Sequence, residues 1–276
     1  MLTFLFWNVN KRNLSELATK IAREHHVDLI FFAEPPEGWE ANLLDTINTD
    51  KERQYILQTN ETYNYNRRFT ILSRFPRGML QYVNDPKDER RYTILRLLLP
   101  GEDDILLIAV HLRSKLRTDG RNQAQLLPQF IRSINEVENR FQHSRTMVFG
   151  DFNMNPFEDG FVSCEGLHAV QTRLVANKYQ RIVQKERYRF FYNPMWNFFG
   201  DTTIGPPGTH YYDNSDPINF FWNLFDQVIV RPDLLDRFRD EDVSILTSAG
   251  EVSLLNDRSV PDSKISDHLP IIFGLR

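Results

Sequence analysis

The apolar residues in the first part of this chain fall into the order strand, helix, strand. Two short apolar runs, Leu2–Trp7 and Asp28–Ala33, have the continuous hydrophobicity of strands that are buried on both faces. Between them, apolar residues recur at helical spacing over Leu14–Ala22, and Asn13 and Glu16 resemble a helix-start box. This order predicts a βαβ unit and therefore an α/β protein.

The remainder of the chain continues the mixture of strands and helices. Two apolar runs, Thr93–Leu99 and Ile105–Leu112, are joined by a short Pro-Gly turn that favours an antiparallel pair. An amphipathic pattern over Asn122–Phe141 predicts one long helix, which Pro128 either kinks or delays. The other predicted elements are a helix over Trp39–Ile47 and strands at Tyr55–Leu57, Phe69–Leu72, Thr146–Phe149, Leu224–Val230 and Ile271–Leu275, with a loop over 193–219.

No feature of the sequence divides the chain into separate parts. It lacks a linker, an internal repeat and a shift in composition, so we expect a single domain over residues 1–276. A chain of 276 residues, 41% hydrophobic and 25% charged, supports a buried core and excludes disorder as the main state. The longest apolar runs are far shorter than the roughly 20 residues that cross a bilayer, so we expect no membrane span.

Net charge and cysteine content indicate which binding partners and which cellular compartment to expect for the protein. The 33 basic and 37 acidic residues give a net charge of −4, and the pI is near 6.0. These values argue against nucleic-acid binding through bulk charge, so any such binding would have to use a local basic patch. Cys164 is the single cysteine and cannot form an internal disulfide, and the chain starts without a recognisable secretion signal. We therefore expect a reducing, cytoplasmic environment.

Polar residues that suit catalysis stand at or just beyond the ends of the apolar runs. They are Asn8, Glu34, His111, Asp151, Asn153, Asp226, Asp267 and His268. Any one of them has an ordinary explanation, since a carboxylate at the end of a strand is most often simply solvated. Taken together they point to a site, because open α/β sheets build their sites at strand ends.

The residue types in this set favour a hard cation. Glu34, Asp151 and Asp267 offer only oxygen ligands, which suit Mg²⁺ or Mn²⁺. Zinc is disfavoured, because the sequence contains neither a cysteine cluster nor a His-Glu-x-x-His motif. Phosphate-binding loops of the Gly-x-x-x-x-Gly-Lys-Ser/Thr and Gly-x-Gly-x-x-Gly kinds are missing, and so is Gly-x-Ser-x-Gly.

An ordered series of short motifs resembles the endonuclease/exonuclease/phosphatase superfamily over the whole chain. The motifs are Phe6-Trp-Asn8, Phe32-Ala-Glu34, Val110-His111, Gly150-Asp151-Phe152-Asn153, Phe225-Asp226-Gln-Val-Ile-Val230 and Ser266-Asp267-His268-Leu-Pro270. The segments His111-Leu-Arg-Ser-Lys115, Gly208-Thr-His-Tyr-Tyr212 and Trp222-Asn-Leu-Phe-Asp226 look more like its nuclease-type bacterial members than its inositol-phosphatase or sphingomyelinase branches.

The resemblance implies a two-sheet α/β sandwich with outer helices and a divalent-metal site at one edge. It implies that Glu34 is the main metal ligand, supported by Asn8 and Asp267.

The resemblance also implies the other roles. Asp151 and Asn153 would orient the attacking water and the scissile phosphate, Asp226 would orient His268, and His111 would be a second catalytic histidine. Some secreted deoxyribonucleases pair that histidine with an earlier glutamate, but the corresponding stretch here, Tyr65–Phe69, contains no acid.

These residues predict a metal-dependent phosphodiesterase that acts on nucleic acid, with DNA expected rather than RNA and endonuclease or exonuclease action left open. Phosphodiester hydrolysis needs charge neutralisation, a positioned water and protonation of the leaving oxygen, and this set supplies all three. Either Asp151 or the Asp226–His268 pair is the general base. The alternatives are a phosphatase or phosphodiesterase for a small-molecule or lipid-headgroup phosphate, and a catalytically silent interaction module.

Two further segments have both a functional and an ordinary interpretation. The basic residues Arg113, Lys115 and Arg117 follow His111 closely, and they form either a phosphate-binding segment or a solvated basic face. The aromatic residues from Tyr188 to Phe199 either stack on bases or pack into the protein, and packing is the more common role.

Overall fold

Strand β1 (Leu2–Asn8) shows how the layers of the molecule are arranged. This computed structural model describes residues 1–49, 54–58, 68–83, 91–114 and 120–276, with residues 120–126 described by their backbone alone. In it, β1 lies inside a sheet and is buried on both faces. Phe4 and Phe6 belong to a core between two sheets, whereas Leu5 and Trp7 belong to a second core beneath helices. Successive side chains of a strand point to opposite faces, so a strand between two cores needs an uninterrupted apolar run.

Within the described residues, the first sheet has six strands and one parallel pair. In spatial order they are β16 (Ser244–Ile245), β19 (Ile271–Leu275), β1, β2 (Leu29–Ala33), β4 (Phe69–Ser73) and β3 (Ile56–Leu57). Strands β1 and β2 run parallel and are connected through helix α1 (Ser15–Glu24), while all other neighbours are antiparallel. Helix α1 and helix α2 (Glu40–Ile47) cover the outer face of this sheet.

The second sheet has seven strands in the part of the chain that the structure describes, and it also has a parallel pair at its centre. In spatial order they are β5 (Leu80–Tyr82), β6 (Tyr92–Leu97), β7 (Ile105–His111), β8 (Thr146–Asp151), β15 (Asp226–Val230), β12 (Phe191–Tyr192) and β9 (Ala169–Val170). Strands β7 and β8 run parallel and are connected through helix α3 (Gly120–Phe141). Side chains of α3 such as Phe130 and Ile134 pack on the outer face of the sheet.

The remaining elements are short and lie around the two sheets. The small antiparallel pairs are β10 (Gln180–Val183) with β11 (Glu186–Arg189), β13 (His210–Tyr211) with β14 (Trp222–Asn223), and β17 (Ser248–Ala249) with β18 (Val252–Ser253). The short helices are α4 (Asp159–Val162), α5 (Arg173–Ala176) and 3₁₀ turns at Arg77–Met79, Pro194–Phe198, Pro232–Leu234 and Asp240–Asp242. Among the described residues, no helix has both the length and the apolar character that crossing a bilayer requires.

Phe149 of the second sheet packs against a group of aromatic residues from the first sheet. Its ring centroid lies 4.7 Å from that of Phe31 in an edge-on arrangement and 5.1 Å from that of Phe273. The rings of Phe4 and Phe6 follow at 6.3 and 6.4 Å. Aromatic pairs at these separations contribute about 0.5–1.5 kcal/mol each beyond their buried area. Phe149 therefore holds the two sheets in a fixed relation.

The predicted two-sheet α/β sandwich with outer helices is confirmed, and so is the antiparallel pair of β6 and β7. Pro128 lies inside α3, so it does not delay the start of the helix. Leu14 occupies the cap of α1, while Asn13 Oδ1 accepts a hydrogen bond from the Ser15 backbone N at 3.2 Å. The predicted loop over 193–219 contains a 3₁₀ turn and strand β13, which are too short to leave a periodic pattern.

Replacing Phe149 by Ala should lower the free energy of unfolding by about 3–5 kcal/mol, because it opens a cavity where five aromatic rings meet. Urea unfolding measures the change. Phe220→Ala is the matched control, since that ring is 55% exposed, and its cost should be clearly smaller. Equal costs for the two variants would contradict the role given to Phe149.

Candidate active site

The topology brings the predicted site residues to one edge of the sandwich. The parallel strands β1 and β2 end side by side, with Asn8 opposite Ala33, and the parallel strands β7 and β8 end with His111 opposite Asp151. The antiparallel strand β15 begins at the same edge, where Asp226 lies opposite Asp151. Strand β19 begins beside the end of β1, which places the preceding residues 267 and 268 there as well. Parallel strands that end together are the usual place for a site in α/β proteins.

The backbone at this edge has positive φ angles, which residues other than glycine rarely adopt. Gly150 has φ +133°, and a Cβ atom at this position would lie 2.1 Å from the carbonyl oxygen of Val110 on the neighbouring strand. Glu34 and Asn153 have left-handed backbones with φ of 49° and 53°. Non-glycine residues in this region are uncommon and cluster at functional sites. The close approach of β7 and β8 therefore requires a glycine immediately before Asp151.

Asn8 joins the two sheets at the site. Its Nδ2 donates to Asp151 Oδ2 at 3.1 Å, and its Oδ1 accepts from the backbone N of Asn10 at 3.1 Å. The hydroxyl of Ser266 donates to the backbone carbonyl of Asn8 at 2.7 Å and accepts from the His268 backbone N at 3.2 Å. These bonds tie the Ser-Asp-His segment to the end of β1.

Asp151 is a buried carboxylate, only 1% exposed, with contacts to both of its oxygens. Besides Asn8, the backbone N of Asn153 donates to its Oδ1 at 2.8 Å, and His111 Nε2 lies 3.8 Å from its Oδ2. Burial raises the pKa of Asp151 above its usual value, although the imidazoles of His268 and His111 act in the opposite direction. The side chain is held in place and binds a proton more readily than an exposed aspartate does.

Glu34 pairs with His111 across the strand ends. The distance from His111 Nε2 to Glu34 Oε1 is 3.3 Å. The hydrogen bond from His111 lowers the pKa of Glu34 to about 2, in spite of the partial burial of the carboxylate. Glu34 is therefore ionised at neutral pH. Glu34 is thus an acidic partner of His111, although the stretch Tyr65–Phe69 contains no acid. Positions 65–67 of that stretch lie outside the described residues.

Asp226 and His268 form the shortest contact between titratable side chains at the site. His268 Nδ1 lies 2.7 Å from Asp226 Oδ2, and Asp226 is fully buried. Burial alone would lower the pKa of His268, but the negative charges of Asp226 and Asp151 raise it to about 10. Trp7 fixes the segment further, because its Nε1 donates to the His268 carbonyl oxygen at 2.9 Å. His268 is therefore an oriented cation at neutral pH.

His210 lies next to these residues and was not predicted as a site residue. Its ring centroid is 4.8 Å from that of His268 and 5.3 Å from that of Phe225, and its Nε2 lies 3.9 Å from Asp267 Oδ2. Burial lowers the pKa of His210 to about 3, so the ring is neutral. It stands on a strand of two residues, which leaves no hydrophobic pattern. The only signal in the sequence is the Gly208-Thr-His segment.

The eight predicted catalytic and metal-binding residues thus lie at one edge, and the predicted substrate contacts are only partly described. Arg113 is exposed and two residues beyond His111, whereas Lys115 and Arg117 lie outside the described residues. The aromatic run after Tyr188 packs into the protein over Phe190–Tyr192. Tyr192 lies opposite Val230, the end of β15 away from Asp226, so these rings are remote from the site.

A family model described as the Endonuclease/Exonuclease/phosphatase family matches residues 5–268 of the chain. This range takes in nearly the whole chain and all eight residues at the edge. No curated protein sequence matches the chain significantly.

Solved structures share the fold at low sequence identity. A family protein from Leptotrichia buccalis C-1013-b is 14% identical, with all of both chains covered and a TM-score of 0.57. An AP endonuclease from Archaeoglobus fulgidus is 16% identical, with 100% of this chain and 99% of that chain covered and a TM-score of 0.55. A variant of the 3′ phosphatase NExo from Neisseria, bound to a product DNA hairpin, is 14% identical over all of both chains, with a TM-score of 0.53. These matches bear on the fold, which they show to be the predicted one.

Replacing Asp226 by Asn should lower the pKa of His268 from about 10, because the amide keeps the shape of the carboxylate and removes its negative charge. Titration of the imidazole nitrogen signals by NMR, on metal-free protein, measures the shift. Asp236→Asn removes the same charge at an exposed position and should leave His268 unchanged. A His268 pKa that is equal in wild type and Asp226→Asn would contradict the pairing.

Proposed function

The chain belongs to the endonuclease/exonuclease/phosphatase family, and on that premise we propose that it is a divalent-metal-dependent phosphoesterase that hydrolyses phosphodiester bonds in nucleic acid. The observation that carries the proposal is that two acid–base groups with shifted pKa values lie at the same edge of the sandwich. Asp151 is a buried carboxylate with a raised pKa, and His268 is an imidazolium held by Asp226. Titratable groups whose environments push their pKa values apart are typical of acid–base catalysis.

The oxygen donors at the edge fit Mg²⁺ or Mn²⁺. Glu34 is ionised, the side chain of Asn8 helps to lower its pKa, and it stands next to the buried carboxylate of Asp151 across His111. Carboxylate and amide oxygens are the ligands that these cations prefer. We assign Glu34, Asn8 and Asp267 as the residues that would hold the ion. A cation bound there would polarise a phosphoryl oxygen and neutralise part of the negative charge of the substrate.

His268 acts in this proposal as the donor to the phosphoryl group. Asp226 occupies its Nδ1, so Nε2–H is the nitrogen left to donate. Its positive charge stabilises the negative charge that develops on the phosphate in the transition state. Since a protonated imidazole cannot accept another proton, His268 is not the general base in this state.

Asp151 is then the residue that takes or orients the proton of the attacking water. The amide of Asn8 and the backbone N of Asn153 hold one oxygen each, which leaves further lone pairs on both oxygens for a water molecule. Its raised pKa brings it closer to the working pH, where a general base is most effective. His111 lies between Glu34 and Asp151 and positions both carboxylates.

Nucleic acid is the proposed substrate for two reasons. Of two proteins with the same fold, one is named as an AP endonuclease and the other is a 3′ phosphatase bound to a product DNA hairpin. In addition, Arg113, Lys115 and Arg117 follow His111 directly, and Arg113 is exposed. With a net charge of −4, binding to a phosphate backbone has to rely on such a local segment. We expect DNA rather than RNA.

The Glu34→Gln variant tests the metal assignment. It should raise the Mg²⁺ concentration that gives half-maximal rate by at least about tenfold, because it removes a negative charge while keeping the shape. Chelator should abolish wild-type activity. Glu16→Gln is the control, since it makes the same change at an exposed position on α1. Full wild-type activity in chelator, or an unchanged metal titration for Glu34→Gln, would contradict the assignment.

The triple variant Arg113→Ala, Lys115→Ala, Arg117→Ala tests the substrate class. It should raise KM for polynucleotides and reduce the salt slope by about one per lost phosphate contact, while hydrolysis of bis-nitrophenyl phosphate stays nearly unchanged. Lys178→Ala, Lys185→Ala, Arg187→Ala removes the same charge at exposed positions in and just before the β10–β11 hairpin. Phosphate release from small monoesters without any polynucleotide cleavage would instead favour a small-molecule phosphatase.

A further inference from the structure

His210, Asp267 and His268 lie together beside the candidate active site, and we propose that they form a binding site for a transition-metal ion such as Zn²⁺. An ion bound there uses the imidazole of His268 as a ligand and so removes it from hydrolysis. The site is inhibitory, and it differs from the Mg²⁺ or Mn²⁺ site in its two nitrogen ligands. The binding stands on the geometry alone, whereas the inhibition rests on the proposed function.

The three side chains are close enough to share one ion. Each offers a ligand atom, and these atoms all lie within 4.8 Å of one another. His210 Nε2 and Asp267 Oδ2 are 3.9 Å apart. Ligand atoms around a tetrahedral Zn²⁺ lie roughly 3–4 Å from each other, given bond lengths of about 2.0–2.2 Å. Small side-chain rotations are therefore enough to close the site around an ion.

The backbone places the two histidines side by side. His210 and His268 form an isolated antiparallel bridge, and the backbone N of Leu269 donates to the Thr209 carbonyl at 2.8 Å. The ring of His210 also stacks on Phe225 with an interplanar angle of 29°. Both imidazoles are thus ordered without a metal, which reduces the conformational entropy that binding would otherwise cost.

His268 has the hydrogen bonding of a metal-binding histidine. Its Nδ1 contacts Asp226 Oδ2 at 2.7 Å, so Nε2 is left for an ion. A carboxylate on the far ring nitrogen is the common outer partner of histidines that bind metals, because it fixes the tautomer and raises the basicity of the ligand. The pair that orients the catalytic donor also prepares this nitrogen for a metal.

The ring of His210 has a nitrogen without a hydrogen-bond partner among the described residues, which is a second and independent observation in favour of a ligand. Its Nδ1 is buried and has no hydrogen-bond partner in the described part of the chain. A buried polar atom without a partner costs free energy, and such atoms call for a functional explanation. On the other side of the ring, Nε2 faces Asp267 at 3.9 Å and not at hydrogen-bonding distance.

The ligand types favour a transition metal over Mg²⁺. Two imidazoles and one carboxylate suit Zn²⁺, Co²⁺ or Ni²⁺, while Mg²⁺ prefers oxygen ligands. The sequence disfavours zinc because it contains neither a cysteine cluster nor a His-Glu-x-x-His motif. His210 and His268 are far apart in the sequence, so no motif spacing connects them, and the isolated backbone bridge between the two residues brings them together.

Binding of Co²⁺ to protein without a polyhistidine tag, freed of metal by chelator, tests the site directly. Wild type should show the visible absorption of a Co²⁺ ion with nitrogen ligands, and His210→Phe should lose it while retaining the ring packing against Phe225. The adjacent surface histidines His25 and His26 provide the control, since His25→Asn, His26→Asn should leave the spectrum unchanged. A spectrum that survives His210→Phe, or disappears with the control variant, overturns the proposal.

Inhibition by Zn²⁺ at saturating Mg²⁺ tests the consequence. His210→Phe should leave the zinc-free rate unchanged and raise the half-inhibitory Zn²⁺ concentration at least about tenfold. Equal inhibition of the two proteins overturns the inhibitory role. If no phosphoester is hydrolysed by wild type, the proposed function fails and the Co²⁺ spectra still decide the metal site.

Zinc-edge X-ray absorption of wild type keeps the proposal testable if His210→Phe does not fold. Two imidazole ligands per Zn²⁺ are expected, and a shell with one imidazole or none overturns the site. His210→Gln is the second variant, because it keeps a polar side chain of similar reach and should reduce the count to one imidazole.

Discussion

The packing of the two sheets around Phe149 is the contact on which the candidate site depends. Each sheet has a central parallel pair, and these pairs end at the same edge only because the sheets face each other in a fixed orientation. Two residues beyond Phe149, Asp151 of one sheet accepts a hydrogen bond from Asn8 of the other at 3.1 Å. A hydrogen bond of this length tolerates only small shifts between the sheets. The aromatic core therefore sets the distances at the site.

Several features of the candidate site lower the stability of the fold, and the same features shift the pKa values of its acid–base groups. Asp151 and Asp226 are buried carboxylates on neighbouring strands, and Glu34 and Asn153 have left-handed backbones. Buried charges and strained backbones lower stability unless the surroundings compensate. The compensation here is unequal, since Asp226 has the imidazolium of His268 at 2.7 Å and Asp151 has mainly neutral donors. This inequality keeps a proton on His268 and raises the pKa of Asp151, which suits the opposite acid–base roles proposed for the two groups.

Much of this architecture could be predicted from the sequence, because the central strands are long apolar runs between two cores. The ends of those runs supplied the eight candidate residues, and the topology places these candidates at one edge. The exposed hairpin of β10 and β11 was missed, since its residues are mostly polar and solvated. His210 was missed for a related reason, because a strand of two residues has no periodicity. Its position depends on a bridge to His268, which is a tertiary contact that no local pattern encodes.

Asp267 and His268 connect the two proposed metal sites through adjacent residues. Asp267 is assigned to the Mg²⁺ or Mn²⁺ ion and also faces His210, so a carboxylate turned towards one ion is less available to the other. Two cations that share this carboxylate would also repel each other at short range. Occupation by the hard cation therefore weakens binding of the transition metal, and the reverse holds by linkage. If both proposed sites exist, the balance between an active and an inhibited protein depends on the ratio of the two metals, and the partly exposed side chain of Asp267 sets that balance.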